Sequence, residues 1–342
     1  MSDRYNIHFL RDKLEKLLIK KGMPTKDAEV FIDSMISSDM CGVSTHGIRM
    51  IPSYLQRIDI GEFDFDSPVV LKRLPAFTVI DAKNIIGSVS AVYSVEIAVK
   101  EAKIGGIHTV FSRNSNTFGS GFYYVEKIAD AGMIGFACCN TPAAMPAMNG
   151  LEAMLGTNPL AFAMPTRSYG NITIDMATSV VAKSRFGVAK EKGEKLEQGW
   201  ALDKCGNPTT DPDEGMQGFV LPMAGYKGYG IAMIIDIISG FLSGAGFLNG
   251  VKKFYSLKGE CMNVGHMIAA FNPELIYDGD FLSDADAYVE RIKNSKSREG
   301  KEIIIPGEDR KRRKKEAEQN GIELIPEVVE KLEKILGEKL LK

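Results

Sequence analysis

The chain lacks the features that typically place a protein in a membrane, in an oxidising compartment or on a nucleic acid. Its five cysteines form no CxxC pair, and an odd number does not suit a disulfide framework. No uninterrupted run reaches the ~18 apolar residues that a membrane helix needs. The formal net charge is only −2, so no global field attracts nucleic acid or a membrane surface. We therefore expect a cytoplasmic protein that binds neither.

Two common cofactor motifs are also missing. The chain has only four histidines, no HExxH and no Cys/His cluster at zinc spacing, so we expect no metal site. The segments GSGFYY (119–124) and GYKGYG (225–230) do not match the GxGxxG fingerprint of a Rossmann dinucleotide site. Such glycines more often serve loops with positive φ. A Rossmann domain is therefore not predicted.

The apolar pattern that is present predicts helices followed by an α/β region. Helical spacing predicts one helix ending at Gly22, a second capped by Thr25 and a third after STHGIRM that ends at Gly61. From residue 77, FTVID, IIGSVSAVYSVEIAVKEAKIGG and IHTVFS read as strand, helix and strand, the unit of a parallel sheet. Further strands are predicted at MIGFACCN, LAFAMP, NITIDM and HMIAAF, and a buried helix at GIAMIIDIISGFLSGAGF.

The stretch GVSTHGIRM (42–50) holds one of the four histidines. A histidine near a helix start is most often structural, although an imidazole can transfer protons near neutral pH. Arg49 follows His46 by three residues, and on a helix two such residues lie on one face. Reduction of a 2-oxoacid needs an imidazole to move a proton and a guanidinium to hold a carboxylate. This pair therefore indicates a candidate catalytic site.

Lys227, Asp175 and the basic run 310–315 each allow two interpretations. Lys227 precedes a long apolar helix, where it favours an anion, but an exposed turn lysine fits equally well. Asp175 ends a predicted strand, where ligands bind in α/β sheets, but a helix-capping aspartate is the alternative. The basic run 310–315 has acidic residues on both sides, which favours a solvated helix face over a nucleic-acid site.

Eight segments, in order over about residues 5 to 335, resemble the malate/L-lactate dehydrogenase family. They are GVSTHGIRM, NTFGSGFYYVEKIADAGMIG, LGTNPLAFAMP, IDMATS, GWALDKCGNPTTDP, LPMAGYKGYG, FLSGAGF and IIIPGEDR. This family is distinct from the Rossmann-type lactate and malate dehydrogenases, and it includes ureidoglycolate, sulfolactate and 2,3-diketogulonate oxidoreductases. The resemblance implies a homodimer that uses NAD or NADP on a small anionic substrate.

The resemblance also implies the fold and its parts. It predicts a non-Rossmann NAD(P)-binding α/β domain with a mixed sheet over residues 77–258. A helical domain would be built from both chain ends, with residues 1–76 forming its N-terminal part and residues 259–342 packing against them.

Site residues carried over from the family fall into three roles. His46 would exchange a proton with the carbonyl oxygen of the substrate, Thr45 would orient the His46 imidazole, and Arg49 would bind the substrate carboxylate. Cofactor contacts are implied at Thr141, Asp175, Met176, Ala177, Lys227, Gly307 and Glu308. One substrate-site position departs from the family: Thr117 stands where SNHFG would place a second histidine, and threonine does not titrate near pH 7.

These observations leave three functions. The first is an NAD(P)-dependent 2-hydroxyacid dehydrogenase; the second is a cyclic imino acid reductase with the same cofactor. The third, suggested by Thr117, is a cofactor-binding protein with little catalysis. NAD and NADP stay equally open, because no acidic residue for a ribose hydroxyl and no arginine for a 2′-phosphate can be assigned.

Overall fold

The computed structural model describes residues 3–256 and 260–342 as an α/β fold. Its α-helices are α1 (Ile7–Lys20), α2 (Thr25–Met40), α3 (Ile51–Asp59), α4 (Gly87–Gly105), α5 (Phe122–Asp130), α6 (Ser184–Lys192), α7 (Pro212–Gln217), α8 (Tyr226–Ile235), α9 (Pro273–Ile276), α10 (Phe281–Lys293), α11 (Glu308–Asn320) and α12 (Pro326–Leu336). Its strands are β1 (Arg4–Tyr5), β2 (Val69–Leu74), β3 (Phe77–Asp81), β4 (Ile107–Ser115), β5 (Ile134–Cys139), β6 (Met145–Pro146), β7 (Ala153–Leu155), β8 (Leu160–Met164), β9 (Ile172–Met176), β10 (Ala201–Leu202), β11 (Pro208–Thr209), β12 (Phe219–Val220), β13 (Val264–Phe271) and β14 (Ile322–Glu323).

The central sheet has seven strands in the order β2-β3-β4-β13-β5-β8-β9. Strands β3 and β4 are parallel and are joined by α4, as the strand–helix–strand pattern predicted. The other neighbours are antiparallel, so the predicted mixed sheet is confirmed. Strand β2 precedes residue 77 and β13 follows residue 258. The central sheet therefore includes two strands from outside residues 77–258, because strand pairing joins segments that are far apart in sequence.

The two ends of the chain meet in one helical part. Strand β1 pairs with β14, α2 contacts α11, and α3 contacts α12. This part shares a continuous hydrophobic core with α4, α5 and the sheet. A second core, built around Phe186 and Ala201, supports α6 and the small β10–β12 sheet. The contacts agree with the predicted association of the two chain ends, and the division into separate domains stays a prediction.

Two local predictions about helices are wrong. Thr25 is the first residue of α2 rather than its cap, and no side chain caps that end. The apolar segment after Lys227 forms α8 and continues as a π-helical turn at Asp236–Phe241. That segment was predicted to be buried, yet Ile234 is 57% exposed and Phe241 63% exposed in the single chain. The apolar composition of this segment predicts that other protein will cover it, but it does not predict whether that cover comes from the same chain.

Candidate active site

A cleft of about 1080 Å³ opens between the turn at residues 42–46 and the ends of β5 and β9. Its lining includes seven of the predicted site residues: Thr45, His46, Thr117, Thr141, Asp175, Met176 and Ala177. The first and last of these residues, Thr45 and Ala177, are more than a hundred positions apart in the sequence. The fold therefore brings together most of the site that the family resemblance implied.

His46 lies on a backbone turn that α2 holds in place. Residues Ser44–His46 and Ile48–Met50 form two separate 3₁₀ turns, and Gly47 between them is extended at φ −95° and ψ −161°. The Ile48 amide donates a hydrogen bond of 2.7 Å to a carboxylate oxygen of Asp39. A Cβ atom on Gly47 would overlap that carboxylate, so the close approach requires glycine. Asp39 and Gly47 together fix the direction of the His46 segment.

Arg49 lies apart from His46. It lines a separate pocket of about 330 Å³ with Asp39, Arg313 and Val328, whereas Met50 lines a recess that contains His46. The prediction that His46 and Arg49 share one helix face is wrong, because the extended Gly47 interrupts the helix. The carboxylate-binding role of Arg49 stays a prediction, and the described residues do not bring it to the imidazole.

The environment of His46 favours the neutral imidazole. The residue is exposed to solvent at the cleft, but surrounding protein desolvates the ring and lowers its pKa below the usual 6.5. Desolvation acts this way because it penalises the charged imidazolium. At neutral pH the ring is therefore ready to accept a proton.

Thr117 lies beside His46 at the recess. Its hydroxyl donates to the Met262 sulfur at 3.4 Å. Burial raises the pKa of Tyr54, and a hydrogen bond with Thr117 opposes that rise. Thr117 therefore supplies a neutral hydroxyl at the position where a second imidazole was expected from the family pattern.

Asp175 both lines the cleft and caps a helix. Its carboxylate accepts the Phe122 amide at 3.0 Å, at the start of α5. Burial raises the pKa of Asp175, while that backbone hydrogen bond and the Arg310 charge lower it. The guanidinium of Arg310 stacks 5.2 Å from the Phe122 ring and donates to the Thr173 carbonyl oxygen. Asp175 thus lies in β9 and is not the N-cap of a helix that follows it, because its carboxylate accepts an amide of the distant helix α5; its cofactor contact stays a prediction.

Thr141 is held by the buried side-chain amide of Asn158. This side chain accepts the Thr141 amide at 3.0 Å and donates to the Ala232 carbonyl oxygen at 2.9 Å. Asn158 is fully buried and joins the cleft to α8. It lies in the segment LGTNPLAFAMP, but the sequence did not predict its role, because its partners are backbone groups brought close only by folding.

The three remaining predicted cofactor residues lie outside the cleft lining described above. Lys227 is exposed on the first turn of α8. Gly307 starts α11 with a positive φ of 98°, packed against the backbone of Thr173. Glu308 accepts the Ile305 amide at 3.0 Å and pairs with Lys293 at 2.6 Å. Their cofactor contacts stay predictions.

The cleft also carries cationic side chains that the sequence reading missed. They are Arg185, Lys192, Lys195 and Arg310; the carboxylates of Glu194 and Glu197 and the ring of Trp200 line the cleft as well. Arg310 belongs to the basic run 310–315, which was interpreted as a solvated helix face. The rest of that run is largely exposed, but Arg310 turns inward. Its Nε atom is buried and has no hydrogen-bond partner among the described residues. Cations and an aromatic ring suit the phosphates and bases of a dinucleotide. The cleft therefore fits NAD or NADP in both size and donor set.

The described residues form neither a metal-binding cluster nor a membrane-spanning helix. Within residues 3–256 and 260–342, no group of three or more His, Cys, Asp or Glu side chains could hold a metal ion. No helix in the described part of the chain is both long and apolar enough to cross a membrane.

Comparisons with known proteins agree with the geometry. The family model for malate/L-lactate dehydrogenase matches residues 6–333. The chain is 33% identical over 330 residues to a malate/(S)-sulfolactate dehydrogenase of Methanothermus fervidus, covering 96% of each protein. The solved sulfolactate dehydrogenase of Methanocaldococcus jannaschii superposes with a TM-score of 0.91, 34% identity and 98% coverage of both chains. Relatives named for NADP⁺ and for NAD⁺ match at 31% and 29% identity.

Proposed function

We propose a specific reaction for this chain, which belongs to the malate/L-lactate dehydrogenase family and is an NAD(P)-dependent dehydrogenase of small hydroxy acids. The reaction is reversible hydride transfer between the nicotinamide and a small 2-oxoacid held beside His46. The observation that carries the proposal is the single cleft shared by His46, Thr117 and the segment 175–177.

NAD or NADP supplies the hydride when the 2-oxoacid is reduced and receives it when the hydroxy acid is oxidised. Thr141 and the segment 175–177 would hold the nicotinamide end of the cleft. Arg185 and Lys195 would face the phosphates, because guanidinium and ammonium groups bind phosphate oxygens well. Lys227, Gly307 and Glu308 are proposed as further contacts on the family resemblance alone.

His46 is the proposed proton carrier. In oxidation the neutral imidazole accepts the hydroxyl proton; in reduction the imidazolium donates a proton to the alkoxide oxygen that develops. Thr45 precedes it on the same 3₁₀ turn and is proposed to orient the ring. Thr117 cannot share the acid–base role, because a threonine hydroxyl does not titrate near neutral pH. His46 therefore carries the proton transfer alone in this proposal.

A second candidate function is reduction of a cyclic imino acid. The recess beside His46 is lined by methionine, phenylalanine and tyrosine side chains, which suit an apolar ring. The third candidate, cofactor binding with little catalysis, rests on Thr117.

One assay separates the three functions. NADH and NADPH are each mixed with pyruvate, oxaloacetate, 2-oxoglutarate, sulfopyruvate, diketogulonate and a cyclic imine, and cofactor oxidation is followed. The proposed dehydrogenase oxidises cofactor with at least one 2-oxoacid. Turnover of the imine alone would replace that proposal by the reductase, and fluorescence quenching without turnover would leave only cofactor binding.

The proposed assembly is a homodimer, and an exposed apolar face supports it. This α8 face comprises Tyr226, Ile234, Phe241, Leu242 and Phe247, each at least 45% exposed in the single chain. Contiguous apolar surface of this kind marks an interaction site. A cytoplasmic location is proposed as well, because all five cysteines are free thiols and three of them are buried.

A further inference from the structure

We infer that the substrate places a small, uncharged group beside His46, and that Met50 sets this preference. The inference rests on the proposed dehydrogenase function and names its substrate class. That class is a 2-oxo monocarboxylate with a short uncharged side chain, rather than a dicarboxylate or a sulfonate. Met50 would thus be the residue of this turn that faces the substrate and determines specificity, a role that the sequence spacing had suggested for Arg49.

The backbone determines which side chain faces the substrate. A 3₁₀ helix has three residues per turn, so consecutive side chains point about 120° apart. The hydrogen bond from the Ile48 amide to Asp39 fixes the start of the turn Ile48–Met50. Arg49 then lines the pocket with Asp39, and Met50 lines the recess with His46.

The recess itself is small and has no charged side chain other than the titratable His46. Its volume is about 20 Å³, which is room for roughly one water molecule or a methyl-sized group. The apolar walls come from Phe31, Met35, Met50 and Tyr54. A second anionic group placed here would lose its water without gaining a cation, which is unfavourable.

The polar groups of the recess are hydroxyls, and most already have partners. Ser34 donates to the Phe31 carbonyl oxygen at 2.7 Å, and Ser38 shares a 2.9 Å hydrogen bond with Ser120. The Ser88 hydroxyl is 4% exposed and has no hydrogen-bond partner among the described residues. The recess therefore offers a substrate neutral hydroxyl groups, and its lining has no charged side chain besides the titratable His46.

Two methionine sulfurs, of Met50 and Met262, lie in the cavities that His46 borders. The Tyr255 hydroxyl donates to the Met50 sulfur at 3.5 Å, and Thr117 donates to Met262. Thioether sulfurs are weak acceptors and carry no charge, so they cannot pair with a carboxylate or sulfonate. Met50 lines the recess and Met262 lines the cleft, so both of the cavities that His46 borders carry an uncharged sulfur.

The inference is tested by comparing two pairs of substrates. The kcat/KM values for pyruvate and 2-oxobutyrate are measured against those for oxaloacetate and 3-sulfopyruvate, with each cofactor. We expect the uncharged side chains to be preferred by at least about tenfold, in the range that one mismatched pocket contact produces. A wild-type preference for oxaloacetate or sulfopyruvate would overturn the inference while leaving the dehydrogenase function intact. Absence of cofactor oxidation with every substrate would overturn the proposed function itself.

Substitution at position 50 tests the residue. Met50→Arg should raise kcat/KM for oxaloacetate and 3-sulfopyruvate by about tenfold or more and lower that for pyruvate, because a guanidinium then faces the recess. Met50→Leu, which keeps size and neutrality, should keep the wild-type order of substrates. An unchanged order in Met50→Arg, with the thermal unfolding midpoint preserved, would refute the role of Met50.

A binding measurement makes the test independent of turnover. Oxamate carries one carboxylate and tartronate carries two, and quenching of bound NADH or NADPH fluorescence reports the binding of each. The wild-type complex should bind oxamate at least about tenfold more tightly than tartronate, and Met50→Arg should narrow or reverse that ratio. Tighter tartronate binding by the wild-type complex would contradict the inference.

Discussion

At the scale of the residue, the lowered pKa of His46 predicts the pH dependence of hydroxyacid oxidation. The reaction needs the neutral imidazole, and desolvation favours that form. The kcat/KM for oxidation should rise with pH through an inflection below 6.5 and then level off, because kcat/KM reports the ionisation of the free enzyme. A pH profile between 4.5 and 8 measures this. An inflection above 6.5 would contradict the environment described for the ring.

Asp39 gives a second residue-scale prediction, concerning stability. Burial raises its carboxyl pKa from 3.8 to about 7, with the Ile48 amide and the Arg49 charge acting in the opposite direction. Between pH 3.8 and about pH 7, the Asp39 carboxyl is protonated in the folded chain and ionised in the unfolded chain. The stabilisation from this group is therefore complete below pH 3.8 and is lost as the pH rises through 7.

Asp39→Asn should remove this dependence while keeping an acceptor for the Ile48 amide. Between pH 4 and pH 8 the wild type should lose up to about 4 kcal/mol of unfolding free energy through Asp39, at about 1.4 kcal/mol per pKa unit. The variant should not show this loss. Urea unfolding at both pH values measures it, with the exposed carboxylate variant Asp66→Asn as the control. An equal pH dependence in wild type and Asp39→Asn would show that the Asp39 carboxyl is not perturbed.

The sequence placed Asp175 correctly near the end of a strand. His46 was expected near a helix start and is instead the last residue of the 3₁₀ turn Ser44–His46. The assumption of a continuous helix failed at Gly47, because its extended conformation depends on a carboxylate from another helix. Asn158 and Arg310 lie in the segments LGTNPLAFAMP and IIIPGEDR, but their individual roles were not predicted, because their partners come from other segments of the chain.

At the scale of the element, the turn around Gly47 is predicted to control catalysis through position rather than chemistry. Gly47→Ala would place a methyl group against the Asp39 carboxylate and shift the His46 segment. We expect kcat to fall by about tenfold to a hundredfold, since small misplacements of catalytic groups are costly. Binding of NADH or NADPH, measured by fluorescence, should change little. Gly105→Ala, whose methyl would meet only the Pro75 carbonyl oxygen at 3.9 Å, is the matched control. Normal turnover in Gly47→Ala would refute this role for the turn.

The sequence predicted the type of most elements but not the place of every strand. Periodicity and β-type composition identified β3, β4, β5, β8, β9 and β13. The position of β13 between β4 and β5 follows from pairing with residues more than a hundred positions away, which local pattern does not encode. Strand β2 was not predicted, because it is an exposed edge strand with little apolar alternation.

At the scale of the whole molecule, the α8 face predicts self-association. The chain has a mass of 37.5 kDa, so light scattering should give twice that value for the homodimer. Ile234→Glu combined with Phe241→Asp should shift the population to monomer, because buried unpaired carboxylates oppose association. Ile104→Glu, at a site on α4 that is 78% exposed, should leave the dimer intact. A monomeric wild type would contradict the prediction.

The central claim is that His46 alone moves the proton during hydride transfer, and one measurement tests it most directly. Steady-state reduction of the best 2-oxoacid is compared between wild type and His46→Gln, with the Kd for NADH or NADPH determined on both proteins and exposed His8→Gln as the control. The account predicts a kcat loss of about 10²–10⁴-fold in His46→Gln, the usual range for general acid–base catalysis, with cofactor Kd nearly unchanged. Near-normal kcat in His46→Gln would contradict it.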